Sequence, residues 1–161
     1  MRDLRASHRE RRTGTSWRRT LVAVLALVLT GCIFDPTEPY RSEREKLAQA
    51  EARWRDRGFT SYRFISGIYC FCGAVGDAEV TVLDGKVVSV VWLEDGSSLP
   101  TTSRQPVDSL FAFVRRELDR LPERLTARYD PTLGFPSRID WGTPENDGGG
   151  SITAKQVAGL R

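Results

Sequence analysis

The side chains best equipped for chemistry are the cysteines. Cys70 and Cys72 stand one residue apart in the stretch IYCFCGA, Ile68–Ala74, and Cys32 ends the run LVAVLALVLTGC. Two neighbouring thiols can hold a metal, cycle as a redox couple or close a disulfide. Two thiolates leave a tetrahedral zinc site short of ligands, since it needs four. The lone histidine, His8, lies in an N-terminal segment that reads as a cleaved signal. The rest of the chain therefore has no imidazole to complete a metal site. It also cannot build Ser-His-Asp or Cys-His nucleophiles, an HExxH zinc site or histidine acid–base catalysis. GxxxxGK[ST] and GxGxxG phosphate loops are both missing. Neither a metal nor another cofactor is expected. Thiol oxidoreductases use C-x-x-C at a helix N-terminus, whereas this pair is C-x-C in a segment of strand periodicity. A local disulfide is the best reading of Cys70 and Cys72. In a regular strand, residues i and i+2 lie roughly 6.6–6.8 Å apart. That is the edge of the bridgeable range of about 4.4–6.8 Å. A bulge or turn must shorten the distance, and Gly73 makes one feasible.

The N-terminus sets the compartment. Arg2, Arg5, Arg9, Arg11, Arg12, Arg18 and Arg19 face only Asp3 and Glu10 before the apolar run Leu21–Leu29. Spanning a bilayer takes about 20 apolar residues, so this run is too short. A basic region, a short apolar core and small residues at its end make a secretory signal. Leu29-Thr30-Gly31-Cys32 resembles a bacterial lipobox. Cleavage is then expected between Gly31 and Cys32, with Cys32 lipidated, as by palmitate. Arg18-Arg19 is loosely twin-arginine-like.

Removing the signal changes the charge balance. The whole chain has 24 basic and 21 acidic residues; taking away 7 and 2 leaves 17 and 19, a net of −2. The apparent pI of about 9.0 belongs mostly to the signal. A nucleic-acid partner, which would want a basic face, is not expected. Arg115, Arg116 and Arg120 read as a solvated helix face.

Residues 1–31 thus read as signal, 32–41 as lipidated cysteine and tether, and 42–161 as one domain. Ser42-Glu43-Arg44-Glu45 is a capping box opening a helix. Leu47, Ala50 and Trp54 form its apolar stripe, and Gly58 stops it. From Phe59 to Cys72 the period becomes two, with Tyr62, Phe64, Ile68, Cys70 and Cys72 on one face and Ser61, Arg63 and Tyr69 on the other. AEVTVLDGKVVSVVWL is a hairpin turning at Asp84-Gly85. Its second half, Val87–Leu93, is apolar on both faces and reads as a central strand. Residues 94–105 form a loop, and Pro106 suits a first helical position. Val107, Leu110, Phe111, Val114, Leu118 and Leu121 make an amphipathic helix that Pro122 ends. Strands follow in RLTARYD, SRIDW and SITAKQVAGL. The order α-βββ-α-βββ predicts an α+β fold: an antiparallel sheet of five or six strands with two helices on one face.

Turn chemistry accounts for Tyr129, Asp130, Gly134 and Pro136, which could also line a ligand loop. Asp caps a turn, Pro fixes φ and Gly takes φ > 0. Asp140, Glu145 and Asp147 lack calcium-loop spacing and read as loop acids.

SYRFISGIYCFCG, EVTVLDGKVVSV, VDSLFAFV and RYDPTLGFPSRIDW, taken in order, resemble a family of small bacterial lipoproteins, the domain of unknown function numbered 6174. The matching positions include Tyr62, Phe64, Cys70, Cys72, Asp84, Gly85, Phe111, Tyr129, Asp130, Gly134 and Pro136. The resemblance implies an exported, anchored α+β domain and supplies no activity. The expected role is a non-catalytic binding or interaction module, tethered to a membrane by its lipid and facing an envelope protein partner. With two membranes, Ile33 after Cys32 favours the outer one, facing the periplasm. A thiol-redox protein using Cys70 and Cys72, or an inhibitor-like module for an envelope or secreted enzyme, are the alternatives.

Overall fold

A computed structural model describes residues 38–70, 75–142 and 148–160, all within one unit, Thr37–Arg161. Helix α1 spans Glu38–Arg57. Leu47, Ala50 and Trp54 are buried, as their spacing predicts. Gly58 follows at φ +65 and donates to the Arg55 carbonyl at 3.0 Å. The helix starts earlier than the sequence predicts. Ser42-Glu45 lies inside it rather than at its cap, and the last residues assigned to the tether, 38–41, are helical. Contacts distant in sequence hold the extra turn. Tyr40 Oη donates to the Pro122 carbonyl, and Arg44 reaches Asp119 at 2.8 Å and the Leu118 carbonyl at 2.9 Å.

The six strands are β1 (Tyr62–Cys70), β2 (Gly76–Leu83), β3 (Lys86–Trp92), β4 (Leu125–Tyr129), β5 (Pro136–Trp141) and β6 (Gly150–Gly159). They form one antiparallel sheet in the order β3-β2-β1-β6-β5-β4. Helix α2, Val107–Asp119, follows β3. The fold is α+β, as the element order predicts. Asp84 and Gly85 turn the β2–β3 hairpin with φ of 48° and 75°, the pair of positive angles a two-residue turn of this kind requires.

Strand alternation divides the sheet. Tyr62, Phe64, Ala78, Val80, Val82, Val90, Leu125, Ala127 and Ile139 share one core with α1 and with Val107, Leu110, Phe111, Val114 and Leu118 of α2. Leu121 leaves that stripe. It takes φ +50 past the helix end and is 52% exposed. Pro106 is the N-cap of α2 rather than its first residue.

β3 is an edge strand, not a central one. The following loop folds back on its outer edge. Val91 bridges Ser98, the Trp92 N–H donates to Ser97 at 2.8 Å, and the Leu99 N–H donates to Val90 at 2.9 Å. Trp92 and Leu99 both pack against the core. The centre of the sheet is instead the pair β1 and β6.

Tyr62 joins the layers. It is fully buried, its ring meets Trp54 of α1 edge-on at 5.3 Å, and its hydroxyl oxygen accepts the Val107 N–H at 2.9 Å. No side chain caps α2 at Pro106, so this phenol satisfies a donor that helix starts leave orphaned. Tyr62→Phe should cost about 1–3 kcal/mol, the penalty of a buried unpaired N–H. The check is the denaturant midpoint, with the slope unchanged. A loss under about 0.5 kcal/mol would show that the N–H finds another partner.

Candidate functional site

No described element covers the second face of the sheet, so that face is built from alternate residues of the six strands. Register brings together groups far apart in sequence. Gly67 of β1 sits between Asp77 of β2 and Thr153 of β6, and Thr153 faces Arg138 of β5. Tyr69 Oη donates to Asp77 Oδ1 at 2.9 Å, and Lys155 Nζ reaches Asp77 Oδ2 at 3.0 Å. Arg138 pairs with Asp140 through Nε at 2.8 Å and Nη2 at 2.8 Å. Arg63 and Glu79 extend the charged row, 3.9 Å apart.

Gly67 permits this cluster. A Cβ there would lie 2.4 Å from Asp77 Oδ1, 2.5 Å from Thr153 Oγ1 and 2.9 Å from the Tyr69 ring. Side chains thus close over bare backbone. Ser151 and Thr153 of β6 are buried although they are polar and face outward. The Thr153 hydroxyl meets no partner among the described residues, whereas the Ser151 hydroxyl lies close enough to Asp140 to help hold that carboxylate ionised.

The electrostatics follow the pairing. The Lys155 hydrogen bond, aided by Tyr69, holds the Asp77 carboxyl below its usual range. Arg138 does the same for Asp140. The Asp77 hydrogen bond pushes the Tyr69 phenol up, and Asp77 also raises Lys155.

The sequence-predicted candidates lie elsewhere. Tyr129, Asp130, Gly134 and Pro136 do come together, around the β4–β5 turn. Asp130 Oδ1 accepts from the Thr132 and Leu133 N–H groups at 2.9 and 2.6 Å. Asp130 N–H donates to Phe135, and its carbonyl accepts from Gly134 at 3.0 Å. Gly134, at φ +89, lies so close to α1 that a Cβ would be 2.3 Å from the Ala50 carbonyl. Pro136 is fully buried, and the Tyr129 ring stacks on Phe111 at 6.3 Å. These groups build a turn and seat it on α1. Only Tyr129 Oη, buried without a partner, is left uncommitted.

Cys70 ends β1, half-buried. Its neighbour across β6 is Gly150, where a Cβ would meet Cys70 Cβ at 3.0 Å and the Trp141 ring at 2.7 Å. Cys72, Gly31, Cys32, Glu145 and Asp147 lie outside the described residues. Asp140, weighed with those acids as a calcium ligand, is committed to Arg138. Among the described residues no cluster of three potential metal ligands occurs, and no helix is long and apolar enough to cross a membrane. A groove of about 280 Å³ runs between the helices, lined by Glu51, Trp54, Asp108, Phe111 and Arg115. Its polar groups pair with each other, Arg115 with Glu51 and the Trp54 N–H with Asp108 at 3.3 Å.

Most of the sheet cluster escaped sequence reading. Tyr69 shows only as an outward residue of a strand, and Asp77, Arg138 and Lys155 carry no motif. Gly67, a glycine within a strand, is the one local signal, since it marks close approach by other groups.

Both depressed carboxylates favour the folded state when ionised. Their contribution is complete above the ordinary carboxylate pKa of about 3.9 and is lost as pH falls through the lower folded values. Stability should therefore decline on acidification below about pH 5, and Asp77→Asn should flatten that decline. At neutral pH the same change should cost no more than about 1 kcal/mol, because Lys155 is 49% exposed. Denaturant midpoints measured across pH check both statements.

No curated protein and no solved structure matches the chain significantly. One family model does, covering residues 46–154. These residues hold most of α1, strands β1 to β5, α2 and the first half of β6. The chain therefore belongs to the family of unknown function designated DUF6174.

Proposed function

We propose that this chain is an exported lipoprotein, anchored to the cell envelope through Cys32, whose domain binds a protein partner through the open face of its sheet. The observation that carries the binding role is the bare face itself. Six strands spaced about 4.8 Å apart make it roughly 24 Å across, of the order of a standard interface patch of about 800 Å². Its charged groups are spread in rows of both signs, Arg63 with Glu79, Lys155 with Asp77 and Arg138 with Asp140. Such patterning selects a partner by complementary charge. Among the described residues its acids and bases are paired with one another on an open surface, an arrangement that suits binding better than catalysis. The anchor rests on the arginine-rich start, the short apolar run and Leu29-Thr30-Gly31-Cys32. In a two-membrane cell the reading places the domain on the outer membrane, facing the periplasm.

We further propose that Cys70 pairs with Cys72. The bond would fix a bulge at the end of β1, beside Gly150. Its loop is very short, so it should add less than the roughly 3 kcal/mol of a 15-residue loop.

Mass spectrometry of protein extracted from membranes without reductant tests anchor and bridge together. The expected N-terminal residue is an acylated Cys32, with several chains, since one chain holds a protein only marginally. The peptide holding Cys70 and Cys72 should be lighter than its dithiol form by a pair of hydrogens. An unmodified Cys32 inside an intact N-terminal peptide would sink the anchor.

Photo-crosslinking groups placed in cells tests the face. Groups at Arg63 and Thr81, on the sheet, should give one discrete adduct, and a group at Arg120, past α2, should not. Adducts from Arg120 alone would move the interface to the helices.

A further inference from the structure

The loop between β3 and α2 carries a charge in an unusual place. Arg104 is 2% exposed, yet among the described residues it makes no ion pair. Its Nη1 donates to the Ser103 carbonyl at 2.9 Å and its Nη2 to the Gly76 carbonyl at 3.0 Å. The guanidinium lies over the Trp92 ring, 5.3 Å from its centroid. Asp77, the acid whose field reaches Arg104, is held by Lys155 and Tyr69. A guanidinium does not give up its proton in proteins. Buried charge is costly unless it is paired, and carbonyls and a ring supply dipoles without a counter-charge.

Two donors in this loop stay unused. Arg104 Nε and Ser103 Oγ are both buried and meet no partner. Arg104 and Ser103 line one cavity of about 90 Å³ together with Ser66, Ile68, Leu110 and Ile152. Ser66 is itself a buried polar residue of β1. The walls thus combine a cation, hydroxyls and aliphatic carbon. A dry apolar cavity of about 150 Å³ takes benzene, so this one takes roughly three or four heavy atoms. That is the size of acetate. A carboxylate would supply the missing negative charge, accept from both free donors and lay its methyl on the isoleucines and Leu110.

We propose that this cavity binds a small carboxylate, with Arg104 Nε–H and Ser103 Oγ–H as its donors and the guanidinium as its counter-charge. The carboxylate is either a free short-chain acid or the terminal group of a larger molecule whose remainder stays outside. The site is separate from the open sheet face and stands whether or not that face binds a protein.

The test is a titration of the full chain in neutral detergent with sodium acetate, with acetylglycine and, as the control, with sodium chloride at equal ionic strength. Thermal unfolding and the nitrogen–proton resonance of Arg104 Nε are followed. Acetate should raise Tm and shift that resonance saturably, and chloride should do neither. If acetylglycine saturates as well, the ligand is a terminal carboxylate; if acetate alone does, it is a free acid. Ser103→Ala leaves both backbone bonds of Arg104 in place, and should weaken acetate binding about tenfold, one hydrogen bond to a charged group. An Arg104 resonance that does not respond to either acid overturns the proposal. So does a response that chloride reproduces, or a Ser103→Ala variant that binds acetate as tightly as the parent.

Discussion

The layers of this domain meet at one phenol. Tyr62 stands on a central strand, touches Trp54 of one helix with its ring and takes the first N–H of the other with its oxygen. α2 enters through a proline, which offers no capping side chain. Its start must therefore be completed by something already fixed in the sheet. The geometry works only if β1 keeps its register, because a slip of one residue would send Tyr62 to the opposite face. β1 pairs with β2 by a local hairpin and with β6 from the far end of the chain, so the place where α2 begins depends on both pairings.

That register has a second product on the reverse side. The alternation that aims Tyr62 and Phe64 inward aims Arg63, Gly67 and Tyr69 outward. Gly67 gives up packing and backbone economy, as glycine does inside any strand. What it allows is a polar cluster drawn from β1, β2 and β6, in which a carboxylate, an ammonium and a phenol settle over bare backbone. The same strand thus sets the core and lays out the outer face.

Short-range features of this fold are legible in the sequence, and long-range ones are not. The Asp84-Gly85 turn is readable because two positive φ values are a demand that few residue pairs meet. Stripes on both helices and the alternation of β4 are readable because each is a local period. The start of α1 is not: Ser42-Glu45 matches a capping box, but Tyr40 and Arg44 find partners near residue 120 that carry the helix a turn further. β3 shows the limit of composition. Its apolar residues suggest cover on both faces, yet Val88 is 47% exposed and within the strand Val90 alone is buried. Asp77, Arg138 and Lys155 carry no individual sign of their role, since only strand order makes them neighbours. Arg104 lies in a loop rich in small polar residues, where nothing local marks it as buried.

The loop that folds back on β3 bears on how copies of this domain could assemble. A sheet with two free edges can add a copy at each side and grow without end. Here Ser97, Ser98 and Leu99 already occupy the backbone of the C-terminal half of β3, and the short stretch left begins with Lys86. Strand addition is thereby confined to the β4 side, where Thr126 and Arg128 face outward. Two copies joined β4 to β4 would leave only the partly covered β3 edges at the ends of the joined sheet. The covered half of β3 thus works against open-ended growth of the sheet from copy to copy.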